Sequence, residues 1–144
     1  MRIFLGILII GSLWDLVTSF LGIVGLLGVT NLNQGNIGIY MTAIVGSALI
    51  LGLSISTKDI WSECETNIIY LVLKVVHVAA IIFDAYTSFL GTAQNILLHD
   101  SRTAFLTIGL EEAWEMTNVE QKIALLFVTV LVTISPIAFS TLRD

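Results

Sequence analysis

The chain has 144 residues, 56% of them hydrophobic and only 12% charged, with a net charge of −5. Soluble domains carry about 25% charged residues, so this composition excludes a water-soluble globule and places the chain in a membrane. The acidic balance and the lack of Lys/Arg clusters argue against nucleic acid and against a basic patch for anionic lipid.

The first apolar segment runs from Ile3 to Val29. A basic residue precedes it, as in a signal peptide. However, the apolar run continues past Asp15, and no small-residue cleavage pattern follows, so an anchor helix is expected. The polar turn from Thr30 to Asn36, rich in Asn and Gly, ends this segment, and a second span is predicted from Ile37 to Ile55. Ser62 and Glu65 fit a capping box ahead of a third span, about Ile68 to Leu98. Cys64 lies in this stretch. As the sole cysteine it rules out an internal disulfide, and it reads as an ordinary small residue. A polar insertion at 99–119 follows, too polar to span. Its Phe105, Ile108, Leu110 and Trp114 are expected to face lipid headgroups or a neighbouring subunit, and Glu111, Glu112 and Glu115 form a solvated acidic patch. Thr117 and Glu120 fit a second capping box, opening a fourth span from Ile123 to about Leu142, with Pro136 expected to kink that helix rather than end it. Trp61, Tyr70 and Tyr40 lie near span ends, where aromatic belts form.

The fold expected is therefore an all-α integral membrane protein, one transmembrane domain over 1–144. Its four helices form two tandem-duplicated hairpins, about 3–55 and 62–142. The duplication is read from a repeated motif, D-x-x-T-S-F-L-G, starting at Asp15 and again at Asp84, and from similar Ser-Thr tails at Ser54 to Asp59 and Ala138 to Asp144. Arg2, Lys58 and Arg143 on one side, against Arg102 and Lys122 on the other, predict that both termini are cytoplasmic.

The repeated motif carries the candidate site. On a helix, positions i, i+3, i+4 and i+7 share a face, so Asp15, Thr18, Ser19 and Gly22 align, as do Asp84, Thr87, Ser88 and Gly91. Lys74, His77 and Asn95 extend the second stripe, with Lys74 about 15 Å along the helix from Asp84. A carboxylate in mid-membrane costs several kcal/mol and stays only where it meets protein, water or a partner. Gly11, Gly22 and Gly91, with a second seam of Gly38, Thr42 and Gly46, would let helices approach closely, with the hydroxyls and carboxyls as glue. Alternatively the aspartates line a path. A desolvated carboxyl can carry a proton, Asp and Ser/Thr oxygens can hold a hard cation, and His77 can titrate in the same seam. No nucleophile–base pattern, phosphate loop, metal-ligand spacing or cofactor motif appears, so an enzyme is not expected.

Four short spans with an acid in the first are similar to the small multidrug transporters. Hairpins bearing a membrane carboxylate are similar to the proton-translocating proteolipids of rotary ATPases. The second aspartate and the polar insertion depart from the first pattern. The carboxylate's place on the first helix of its hairpin departs from the second, so no residue role is carried over. The function expected is an ion-conducting or proton- or cation-coupled channel or transporter subunit, a homo-oligomer or part of a larger complex in the bilayer. The alternative is a non-catalytic structural or assembly subunit whose aspartates hydrogen-bond between helices.

Overall fold

A computed structural model describes residues 2–30, 36–62, 68–98 and 107–142. Four long helices dominate: α1 (Arg2–Leu26), α2 (Ile37–Ile55), α4 (Ile68–Leu97) and α6 (Val119–Leu142). Two short ones intervene, α3 (Thr57–Ser62) and α5 (Leu110–Glu115). All four long helices are long and apolar enough to cross a membrane. At 1.5 Å per residue, the 19 residues of α2 span about 28 Å and the 30 residues of α4 about 45 Å, so α4 overreaches the hydrocarbon.

The bundle is built inside out. Ile10, Leu49, Leu71, Val75 and Phe127 point outward, whereas Asp15, Thr18, Ser19, His77, Asp84, Thr87 and Ser88 are buried. In lipid this is the favourable distribution, because an apolar exterior meets an apolar solvent and the polar groups satisfy one another within. The most extensive helix–helix interface joins α1 to α4, with α6 and α2 also packed on α1. Two clusters gather much of the apolar packing among the described residues. Ile23, Val24, Val29, Ala43 and Ile50 join α1 to α2, and Phe89, Leu90, Ala93, Ala113 and Leu125 join α4, α5 and α6.

Local chemistry moves several boundaries from their expected places. α1 stops at Leu26 because Gly28 adopts φ 81°. The Gly28 amide then donates to the Gly25 carbonyl at 3.0 Å and the Val29 amide to the Val24 carbonyl at 3.3 Å, a Schellman ending. Ser62 does not cap the third span: it is the last residue of α3, and its hydroxyl donates to the Asp59 carbonyl. Glu65 and Cys64 lie outside the described residues, as do His99, Asp100, Arg102, Phe105 and Arg143. The box ahead of α6 is shifted by one residue. The Gln121 amide donates to Asn118 Oδ1 at 2.8 Å and the Asn118 amide to Gln121 Oε1 at 3.0 Å, while Thr117 bonds back to the Trp114 carbonyl. An amide pair can close this reciprocal ring as a Thr–Glu pair can. α6 continues through Pro136, whose ring is buried.

The described part of the insertion, from Thr107 onward, turns inward. Ala113 is fully buried, Ile108 and Trp114 pack on the α4–α6 cluster, and the Lys122 ammonium lies 5.1 Å from the Trp114 ring centroid. Leu110 remains exposed, as do Glu111, Glu112 and Glu115. A six-residue helix has too few internal hydrogen bonds to hold itself, and this packing supplies what it lacks.

Replacing Asn118 with Ala should lower unfolding stability in detergent by about 1 kcal/mol, the usual worth of an N-cap side chain. Thr117→Ala, which removes only a bond to a carbonyl, should cost less in the same thermal unfolding measurement.

Candidate functional site: a reciprocal aspartate–hydroxyl clasp

Asp15 and Asp84 face each other across the α1–α4 interface, 1% and 0% exposed. Ser88 on α4 donates to Asp15 Oδ1 at 2.9 Å, and Ser19 on α1 donates to Asp84 Oδ1 at 2.7 Å. Each serine has one hydroxyl hydrogen, and the carboxyl takes it. The serines can then only accept in their 3.1 Å contacts with Thr87 and Thr18, whose hydroxyls also reach carbonyls of their own helices at 3.1 Å. Two chains result, Thr87 to Ser19 to Asp84 and Thr18 to Ser88 to Asp15. Each begins and ends on one helix and passes through the other.

Close helix approach makes these contacts possible. A Cβ added at Gly22 would fall on the Thr87 carbonyl, and one at Gly91 on the Thr18 carbonyl. The Ser19–Ser88 contact of 3.0 Å joins residues 69 apart, the same separation as Asp15 and Asp84. α6 runs antiparallel to α4, with Leu125 beside Phe89 and Ser140 near the His77 end; Gly11 of α1 meets Ser135 toward that same end while Ser19 meets Ser88 further on, so α1 and α4 run parallel. The parallel course brings the two copies of the motif face to face.

The other glycines divide. Gly11 lies against Ser135 of α6 rather than α4, and Gly46 lies 3.3 Å from the Ile23 side chain. Gly38 has open space around it, and Thr42 is exposed, donating to the Gly38 carbonyl. The expected seam on α2 is therefore real only at Gly46. Ala43, Ser47, Ile50 and Ser54 form the buried face instead, because α2 is turned to lay Ala43 and Ile50 against Ile23 and Val24.

Lys74 and His77 do not join the aspartates. His77, about 10 Å along α4 from Asp84, is buried in a separate cluster with α3. The Trp61 indole N–H donates to His77 Nδ1 at 3.2 Å, and Thr57 Oγ1 lies 2.9 Å from His77 Nε2. An indole can only donate, so Nδ1 must accept and any ring hydrogen sits on Nε2. Lys74 reaches over the Trp61 ring, 5.6 Å from its centroid. Asn95 turns back to the Gly91 carbonyl. The shared stripe on α4 is thus split between two neighbours, α1 at the aspartate level and α3 nearer the helix start.

One group of residues escaped sequence reasoning. Thr129 and Thr133 on α6 point inward, and their hydroxyls are buried without a hydrogen-bond partner among the described residues. Leu125 clusters with Phe89 and Ala93, while Ser140 accepts the Lys58 amide near His77. This antiparallel register sets Thr129 and Thr133 at the depth of Ser88 and Asp84. Their i, i+4 spacing was the only signal available, and it does not separate inward from outward hydroxyls.

Gly22→Ala or Gly91→Ala should force α1 and α4 apart and cost about 1–3 kcal/mol, as overpacking does. Gly38→Ala should be neutral or slightly stabilising, because open space leaves only the helix-propensity gain. Unfolding by a denaturing detergent, with the three variants side by side, measures the contrast. Comparisons of the chain with family models, with curated proteins and with solved structures return no match, so its functional reading rests on this geometry.

Proposed function

We propose that this protein is a non-catalytic, four-span structural or assembly subunit of the membrane, whose paired aspartates hold its helices together from within. The observation that carries this reading is the reciprocity of Ser19 to Asp84 and Ser88 to Asp15, with both carboxyls buried. Each motif supplies an acceptor, a donor and a small residue to the other, which is what a helix-joining device needs. The same exchange is what a duplicated hairpin would produce, since two copies of one motif can satisfy each other. The reading also gives the bilayer-facing surface a role. Between α1 and α6 lies a shallow apolar groove of about 500 Å³, with Gly11 and Ala138 among its lining residues, where the helix of a second subunit could seat.

Ion conduction, the function expected from the sequence, needs a carboxyl that meets water or a mobile cation. Each carboxyl here is buried and takes a serine hydroxyl of the facing helix, and that arrangement lends conduction no support.

Asp15→Asn should retain nearly full stability, because an amide still accepts from Ser88 and can donate to Asp84. Asp15→Leu should cost about 2 kcal/mol, since it strands a buried serine hydroxyl and a buried carboxyl. Thermal unfolding and native-size measurements of both variants test the clasp. Flux from liposomes tests the rival reading directly. Proton or potassium leak through the wild type that is abolished in a correctly assembled Asp15→Asn, Asp84→Asn variant would replace assembly with conduction.

A further inference from the structure

The clasp has an imbalance that its hydroxyls do not resolve. Ser19 and Ser88 each give their one hydrogen to a carboxyl oxygen, and each is itself reached by a threonine. Asp84 Oδ2 is buried and has no hydrogen-bond donor among the described residues. Yet Asp15 and Asp84 each lie one helical turn before Ser19 and Ser88, which are 3.0 Å apart on parallel helices, so the two buried carboxyls face each other at one level of the joint. Two carboxylates that both lack hydrogen repel, and two such charges facing each other away from water cannot both persist. A hydrogen between them turns the repulsion into a charge-assisted hydrogen bond.

We propose that Asp15 and Asp84 together form a binding site for a single proton, shared between the two carboxyls. The site rests on the clasp reading and deepens it, because the proton becomes the third component of the α1–α4 joint. Among the described residues no other charge is placed to do this work. α1 and α4 surround the pair with Thr18, Ser19, Thr87 and Ser88, α2 turns Ser47 inward, and α6 brings Thr129 and Thr133. None of these is ionisable. His77 is committed to Trp61 and Thr57 further along α4, and Lys74 stacks over Trp61. A metal cation fits the site poorly. Hard cations take about six to eight oxygen ligands, and among the described residues no three His, Cys, Asp or Glu side chains gather. The serine hydroxyls already donate to a carboxyl, and each lies 3.1 Å from a threonine hydroxyl.

Infrared spectroscopy of the full chain in lipid nanodiscs at neutral pH tests the proposal. Wild-type protein should show a carboxylic-acid C=O band that moves on incorporating carboxyl-¹³C aspartate and shifts in D₂O. Each single variant, Asp15→Asn and Asp84→Asn, should lose the band completely, because the remaining carboxylate then accepts from the new amide. The isotope experiment needs no variant, so it remains decisive if a substitution impairs folding. Absence of an aspartic-acid band in the wild type would overturn the proposal. So would a band that survives either substitution, since the proton would then belong to one residue alone. A band that appears only when sodium is replaced by a large organic cation would assign the site to a metal ion instead. The two readings fail separately: variant stability tests the clasp, and the wild-type spectrum tests the proton.

Discussion

The bundle depends on one joint, the parallel crossing of α1 and α4. There Gly22 and Gly91 remove the side chains that would keep the backbones apart, and each helix offers the other a carboxyl acceptor and a hydroxyl donor. The elements are interdependent. Without the glycines the serines could not reach across, and without the serines the carboxyls would be buried with no donor from the facing helix, at a cost of several kcal/mol in lipid. With both present, two ionisable side chains become part of the packing.

Such a joint suits a bilayer better than water. Between helices in lipid, burial of apolar surface supplies no driving force, because the tails are as apolar as leucine. Specific association must come from close packing and from polar groups that have no better partner. The apolar clusters accordingly follow the aspartates along α1 and α4, Ile23 with Ala43 on α2 and Phe89 with Leu125 on α6, where they fill space beside the joint. The second polar cluster works on the same logic at a different depth. His77 takes a hydrogen from Trp61 and meets Thr57, docking the short α3 against the overlong α4. The Lys58 amide on Ser140 then ties α3 to the end of α6.

The inward hydroxyls of Thr129 and Thr133 give α6 a different character from α1 and α4. Many hydroxyls in this bundle return to a carbonyl of their own helix, as Ser12, Ser47 and Ser135 do. Thr129 and Thr133 do not, so α6 presents open polar groups at the level of the joint without closing on it. The joint itself is a two-helix affair, and α6 and α2 enclose it.

Much of this was legible in the residues. The apolar runs determined four membrane helices, with bounds for α2 that match the expectation end to end, because lipid leaves helices as the economical way to satisfy the backbone. The spacing of D-x-x-T-S-x-x-G determined that aspartate, hydroxyls and glycine share one face. Tertiary structure alone decided what those faces meet. Periodicity places a residue on a side of its own helix and says nothing of the neighbour. It therefore grouped Lys74 and His77 with Asp84, although α3 captures the first two and α1 the third. It also grouped Gly38 with Gly46, although only Gly46 finds a neighbour within contact. The mutual satisfaction of Asp15 and Asp84 needed the parallel crossing to bring two copies of the motif into register. That register is a property of the pair of helices rather than of either sequence segment.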